Sequence, residues 1–118
     1  MTTEAEVFEE LKYRIEVDEC CSRRYYNALG QLHRDNGPAI VFSSGSREWY
    51  RNGLRHRTDG PAFVSPIGVK EWHLHGKLHR TDGPAVIHED GAKEWWLNDV
   101  RYSEQEYYAL LTELGHTV

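Results

Sequence analysis

The sequence predicts a mainly β protein: an antiparallel β-meander of about three 23-residue units, with a C-terminal helix and a short N-terminal helix. Three observations predict it. A heptapeptide recurs, as His33-Arg34-Asp35-Asn36-Gly37-Pro38-Ala39, His56-Arg57-Thr58-Asp59-Gly60-Pro61-Ala62 and His79-Arg80-Thr81-Asp82-Gly83-Pro84-Ala85, each copy 23 residues beyond the last. The same offset joins Gly45, Gly68 and Gly91; Glu48, Glu71 and Glu94; Trp49, Trp72 and Trp95; and Gly30, Gly53 and Gly76. A fixed period of this length is the mark of a repeat array. Between the glycines lie short β-branched and aromatic runs, which read as strands.

The elements follow in order. At the start, Thr3-x-x-Glu6 has capping spacing, and Val7, Phe8 and Leu11 suggest a helix to about residue 12. Tyr13, Ile15 and Val17 then alternate as in a strand. Tyr26 stands 23 residues before Trp49, where a first tryptophan would fall. Within one unit, Ala85–His88 starts a strand after Gly-Pro, Glu89-Asp90-Gly91-Ala92 is turn chemistry, and Lys93–Leu97 is a second strand. Asn52-Gly53 is the dipeptide a type I′ hairpin favours, and His75-Gly76 takes its place one unit on. Lys77-Leu78-His79 forms a short third strand, and Asp82-Gly83-Pro84 turns into the next unit. The sum is six to nine short strands. Asp99 in place of glycine and Tyr102 in place of histidine show the pattern fading, as terminal units of an array do. Ser103-Glu104-Gln105-Glu106 is a capping box, Tyr107, Leu110, Leu111 and Leu114 keep helical spacing, and Gly115 stops the helix. The chain reads as a single domain, 1–118: an acidic cap over 1–24, the repeat sheet over 25–102 and the helix over 103–118.

Composition narrows the function classes. Apolar residues are 39% and charged residues 28% of the 118, a globular balance. No apolar run approaches the roughly 18 residues of a membrane span, and Met1–Glu6 lacks the features of a signal peptide. Cys20 and Cys21 are adjacent and cannot bridge each other without strain, which suits a reducing compartment. The expected location is therefore a cytoplasm. Net charge is −5, with acidic residues gathered at both ends and a mild basic surplus over residues 23–102. That surplus is too small for a nucleic-acid footprint, so nucleic acid is not the expected partner.

The 23-residue period, the Glu-Trp pair, the Gly76-Lys77-Leu78-His79 turn and the Asp90-Gly91 turn resemble the MORN repeat. The likeness covers roughly residues 25–102. With the added Gly-Pro-Ala and without the tyrosine and glycine that usually precede the tryptophan, it resembles the diverged variant of small bacterial and bacteriophage proteins. The resemblance implies a β-meander scaffold used for protein contacts and, in some members, for acidic lipids. For a phage protein the compartment would be the host cytoplasm.

Identity between units reports folding before function. Trp49, Trp72 and Trp95 are expected to stack along one buried face. His33, His56 and His79 lie two or three strands apart, roughly 10–14 Å, too far to share a metal ion, and each is expected to bond locally. No metal site or cofactor is expected. Arg34, Arg57 and Arg80 can pair with Asp35, Asp59 and Asp82, or present an edge to an acidic or phosphorylated partner. Neighbours of an inward tryptophan point out, which would expose Glu48, Glu71 and Glu94 and lay Tyr50, His73 and Trp96 in an outer aromatic row. The C-terminal helix is as apt to cover that row as a partner is. Ile40, Phe42, Phe63 and Val86 would leave a second apolar face, so a homodimer is an option. No nucleophile elbow, phosphate loop or H-E-x-x-H occurs. The expected function is a non-enzymatic protein-binding module, of the kind that inhibits or titrates a larger host protein. Its contacts would come from Tyr50, His73 and Trp96 with Arg34, Arg57 and Arg80. The alternative is a protein that binds or sequesters a nucleotide or another phosphorylated ligand, with a homodimer as one option.

Overall fold

A computed structural model describes residues 12–115; the expected N-terminal helix lies outside them. Thirteen strands occur among the described residues: β1 (Arg14–Val17), β2 (Arg23–Tyr26), β3 (Ile40–Val41), β4 (Arg47–Glu48), β5 (Tyr50–Arg51), β6 (Leu54–Arg55), β7 (Phe63–Val64), β8 (Lys70–Glu71), β9 (His73–Leu74), β10 (Lys77–Leu78), β11 (Val86–Ile87), β12 (Lys93–Leu97) and β13 (Val100–Tyr102). A helix, α1 (Glu104–Glu113), follows. Nine strands form one antiparallel meander in the order β1-β2-β3-β4-β7-β8-β11-β12-β13. The pairs β5–β6 and β9–β10 are side hairpins. The mainly β meander with a C-terminal helix is as the sequence predicts, with more and shorter strands.

Each unit is thus two consecutive hairpins, one in the sheet and one beside it. The side hairpins turn on Asn52-Gly53 (φ 50° and 83°), His75-Gly76 (51° and 83°) and, within β12–β13, Asn98-Asp99 (47° and 67°). Two successive positive φ values are what a type I′ turn requires. Each turn hangs on the unit before it. Backbone N–H groups of Asn52, His75 and Asn98 donate to Nδ1 of His33, His56 and His79 at 2.9, 2.9 and 3.0 Å. The second turn residue adds a backbone bond, Gly53 to Leu32 O, Gly76 to Arg55 O and Asp99 to Leu78 O. The histidine ladder is therefore the joint between units. A nitrogen that accepts an N–H carries no proton, so the ring proton sits on Nε2. In His33 that Nε2–H donates to Asp35 at 2.8 Å.

This joint makes a pH prediction. Burial, then the neighbouring His75 and Arg51, lowers the pKa of His56 below the usual imidazole value. A depressed folded pKa contributes stability that is fully present above about pH 6.5 and is lost as pH falls through the folded value. Melting temperature should drop by a few degrees between pH 7.5 and 5.5. His56→Asn, whose amide oxygen still accepts the His75 N–H but does not titrate, should flatten that slope. An unchanged slope would remove His56 from the account.

The recurring heptapeptide is a second device. The Arg57 guanidinium lies 4.0 Å from the Trp49 ring centroid, donates from Nε to Asp59 at 2.9 Å and donates from Nη1 to the Pro61 carbonyl at 3.0 Å. Arg80 does the same with Trp72, Asp82 and Pro84, at 3.9, 2.8 and 3.0 Å. A Cβ on Gly60 or Gly83 would fall 2.9 Å from the guanidinium carbon, so any side chain there would displace the arginine that the turn closes over. Beneath, Ala39, Ala62 and Ala85 are fully buried. Trp49 and Trp72 are consequently half-buried rather than core, because the arginine, not a second layer, covers the indole, and Trp95 is half-buried too.

The first unit departs from the simple offset. Arg34 stacks on Tyr25 at 4.0 Å, and His33 N–H donates to Tyr25 O as His56 does to Trp49 O. Tyr25, not Tyr26, therefore fills the tryptophan place. The loop from Asn27 to Gln31, closed by Asn27 Oδ1 on two backbone N–H groups, supplies the extra residue.

At the other end α1 closes the array. Ser103 and Glu106 complete the capping box, and Gly115 has φ 80°. Tyr107 and Leu111 are buried with Leu97, and Trp95, Tyr102, Tyr108 and Leu110 pack around them. The helix thus covers the Trp95 side of β12, not the row that contains Trp96.

Candidate functional site

The two faces of the sheet carry opposite charge, and the strand register shows how. Residues directly opposite in adjacent strands share a face. One row runs Glu16, Arg24, Ile40, Glu48, Phe63, Glu71, Val86, Glu94 across β1 to β12. The other runs Val17, Arg23, Val41, Arg47, Val64, Lys70, Ile87, Lys93.

The acidic row is internally satisfied. Glu48 accepts from Tyr50 Oη at 2.8 Å and from Arg55 Nη2 at 2.5 Å. Glu71 accepts from His73 Nε2 at 3.0 Å, and Arg55 Nη1 lies 3.6 Å away. Glu94 accepts from Trp96 Nε1 at 2.9 Å and pairs with His88. The His73 bond, against the opposing effect of burial, lowers the pKa of Glu71, and the His88 bond does so for Glu94. Burial works against the Arg55 charge, and the Glu48 carboxylate outweighs it.

These contacts correct the expected outer aromatic row. Tyr50 and Trp96 are half-buried, and His73 is buried at 8% exposure. Glu48, expected outside, is also 8% exposed. The physical reason is a shared requirement. Tyrosine, histidine and tryptophan are aromatic side chains whose rings carry a donor, and each donates to the glutamate two residues earlier. The position varies in size but keeps its hydrogen bond. Ile40 and Val86, expected on a second apolar face, are buried beside the same glutamates. The arginine edge is corrected too, since indole, aspartate and proline carbonyl occupy Arg57 and Arg80. Arg34 stacks on Tyr25 and donates to the Pro38 carbonyl at 3.2 Å. Asp35 serves the N-terminal cap instead of Arg34: the Lys12 ammonium, then His33 and Tyr13, hold its carboxyl far below the usual range.

A cleft of 370 Å³ opens between the first two arginine turns, lined by Arg34, Asp35, Trp49, Tyr50, His56 and Arg57 among others. Both charge signs line it, and its arginines are already bonded.

The opposite row is different. Arg23, Arg47, Lys70 and Lys93 are all exposed, and none of their side chains has an ion-pair or hydrogen-bond partner among the described residues. Between them stand Val41, Val64 and Ile87, half-buried, and Val17 at 57% exposure closes one end. Cations on alternate strands are about 10 Å apart, at about 4.8 Å per strand. A shallow groove of 320 Å³ lined by Tyr13, Ile15, Val17 and Arg23 continues the row at one end. A second of 320 Å³, with Lys93, Trp95 and Tyr102 in its wall, lies at the other. The sequence carries a signal for this ladder. Positions 47, 70 and 93 are basic and positions 41, 64 and 87 β-branched at the repeat offset, immediately before the conspicuous Glu-Trp pairs. Among the described residues no helix is long and apolar enough to cross a membrane, and no cluster of side chains is disposed to hold a metal ion.

No family model, curated protein or solved structure matches the chain.

Proposed function

We propose that this MORN-like array is a non-enzymatic protein-binding module whose contact surface is the cation ladder Arg23, Arg47, Lys70 and Lys93, and that its partner is an acidic protein surface. One observation carries the reading: four exposed cations repeat in register on one face, which α1 covers only beside Trp95, while the arginines of the repeat motif are engaged within the fold. Unpaired like charges in a row repel one another and add nothing to folding, so their natural complement is a negative surface. The β-branched residues between them add apolar contact, which favours protein over a phosphate backbone. A module of this kind acts by occupying its partner, as an inhibitor or titrating protein does.

The test is capture from nuclease-treated lysate, followed by zero-length carboxyl-to-amine crosslinking and mass spectrometry. A partner should be linked at Lys70 and Lys93. Arg47→Glu/Lys70→Glu/Lys93→Glu should lose that partner, while melting stays near wild type because each surface change costs about 0.5 kcal/mol or less. Undiminished capture by the triple variant would sink the proposal.

A further inference from the structure

We infer that the partner element engaged by the cation ladder is an acidic amphipathic α-helix lying across the strands, with one acidic position per heptad and an apolar position three or four residues on. The inference rests on the reading of this face as a protein-contact surface and concerns what that surface recognises.

Spacing is the argument. Ladder cations recur about every 9.6 Å, two strand separations, with a β-branched side chain midway at about 4.8 Å. On an α-helix, residues i and i+7 share a face about 10.5 Å apart, and i+3 and i+4 lie between them at about 4.5–6 Å, at 1.5 Å per residue. Acid faces cation and apolar faces Val41, Val64 or Ile87 in one register. An extended segment does not match. Its same-face residues fall at about 6.6 and 13 Å, and the residue near 10 Å points to the other side. Strand twist rotates each cation relative to the next, so a straight helix meets about three consecutive cations, a span of about 19 Å or some 14 residues. A nucleic-acid strand fits less well. Its phosphates offer the β-branched residues nothing, and Trp49 and Trp72, the rings beside Arg47 and Lys70, already carry Arg57 and Arg80.

The experiment uses two labelled 18-residue helical peptides of identical composition. One places glutamate at i, i+7 and i+14 with leucine at i+3, i+4, i+10 and i+11. The isomer scatters the same glutamates around the helix. Circular dichroism checks that both are helical, and fluorescence anisotropy at low and physiological salt measures binding to the full chain and to Arg47→Glu/Lys70→Glu. The in-register peptide should bind at least tenfold tighter than the isomer, and the double reversal should erase that preference. Equal binding of both peptides, lost in the reversed variant, would overturn the helix while leaving the protein-contact reading intact. A preference that survives the reversal would overturn the ladder as the site. Tighter binding of an oligothymidylate than of either peptide would overturn the helix in favour of nucleic acid.

Discussion

Tyr107→Ala should destabilise the protein by about 3–5 kcal/mol, the largest loss expected from any single truncation of the helix. Tyr107 is fully buried, and its ring meets Tyr108 edge-on at 5.0 Å. Its hydroxyl donates to Arg80 O at 2.5 Å and accepts from Gly83 N–H at 3.3 Å. Those two backbone groups belong to the last arginine turn. The tyrosine therefore ties α1 to that turn. Removing the ring opens a cavity under α1, and removing the hydroxyl strands a carbonyl and an amide. Tyr107→Phe isolates the second effect and should cost about 1–3 kcal/mol. Urea unfolding followed by tryptophan fluorescence gives both numbers. Hydrogen exchange should show the loss centred on residues 80–102 in the phenylalanine variant. Wild-type stability in Tyr107→Ala would mean that the helix is not the cap.

Much of this architecture is legible in the sequence because the repeat solves one problem three times. The offset of 23 gave the units, Asn52-Gly53 gave the turn type and Ser103-x-x-Glu106 gave the helix start. What escaped was which way side chains face. Strand alternation correctly opposes Trp72 to Glu71 and His73, but deciding which side is interior needs the neighbouring strands. The tryptophan was the natural candidate for the inside by size alone. Glutamate was the natural outsider, until Arg55 and the donor-bearing rings of Tyr50, His73 and Trp96 supplied it with partners. The single-residue slip at Tyr25 is invisible to a fixed offset, since the longer Asn27–Gln31 loop absorbs it without breaking the histidine motif. The ladder is hard to read for a related reason: Arg47, Lys70 and Lys93 sit beside more conspicuous letters, and a basic residue on a strand reads as ordinary solvated surface until its whole row is assembled.

Trp72→Ala should cost about 2–4 kcal/mol, less than a fully buried tryptophan because the indole is half-exposed. The more informative quantity is its coupling to Arg80. The guanidinium sits 3.9 Å from the ring centroid and is closed on its other side by Gly83. Indole, guanidinium and glycine form one stack, and Asp82 and the Pro84 carbonyl orient its middle member. Without the indole, Arg80 loses the platform that makes its charge tolerable so close to the buried Ala85. Without Arg80, the indole face is left to water. A double-mutant cycle of Trp72→Ala and Arg80→Ala, measured by urea unfolding, should therefore show a coupling of about 0.5–2 kcal/mol. The third unit supplies an internal control. Ser103 falls eight residues after Trp95, where Trp49 and Trp72 have arginine, and Trp95 packs against α1 instead. Trp95→Ala in an Arg80→Ala background should be close to additive. If Trp72 and Arg80 also prove additive, the stack is only adjacency, and the Arg-x-x-Gly-Pro motif needs another explanation than covering a tryptophan.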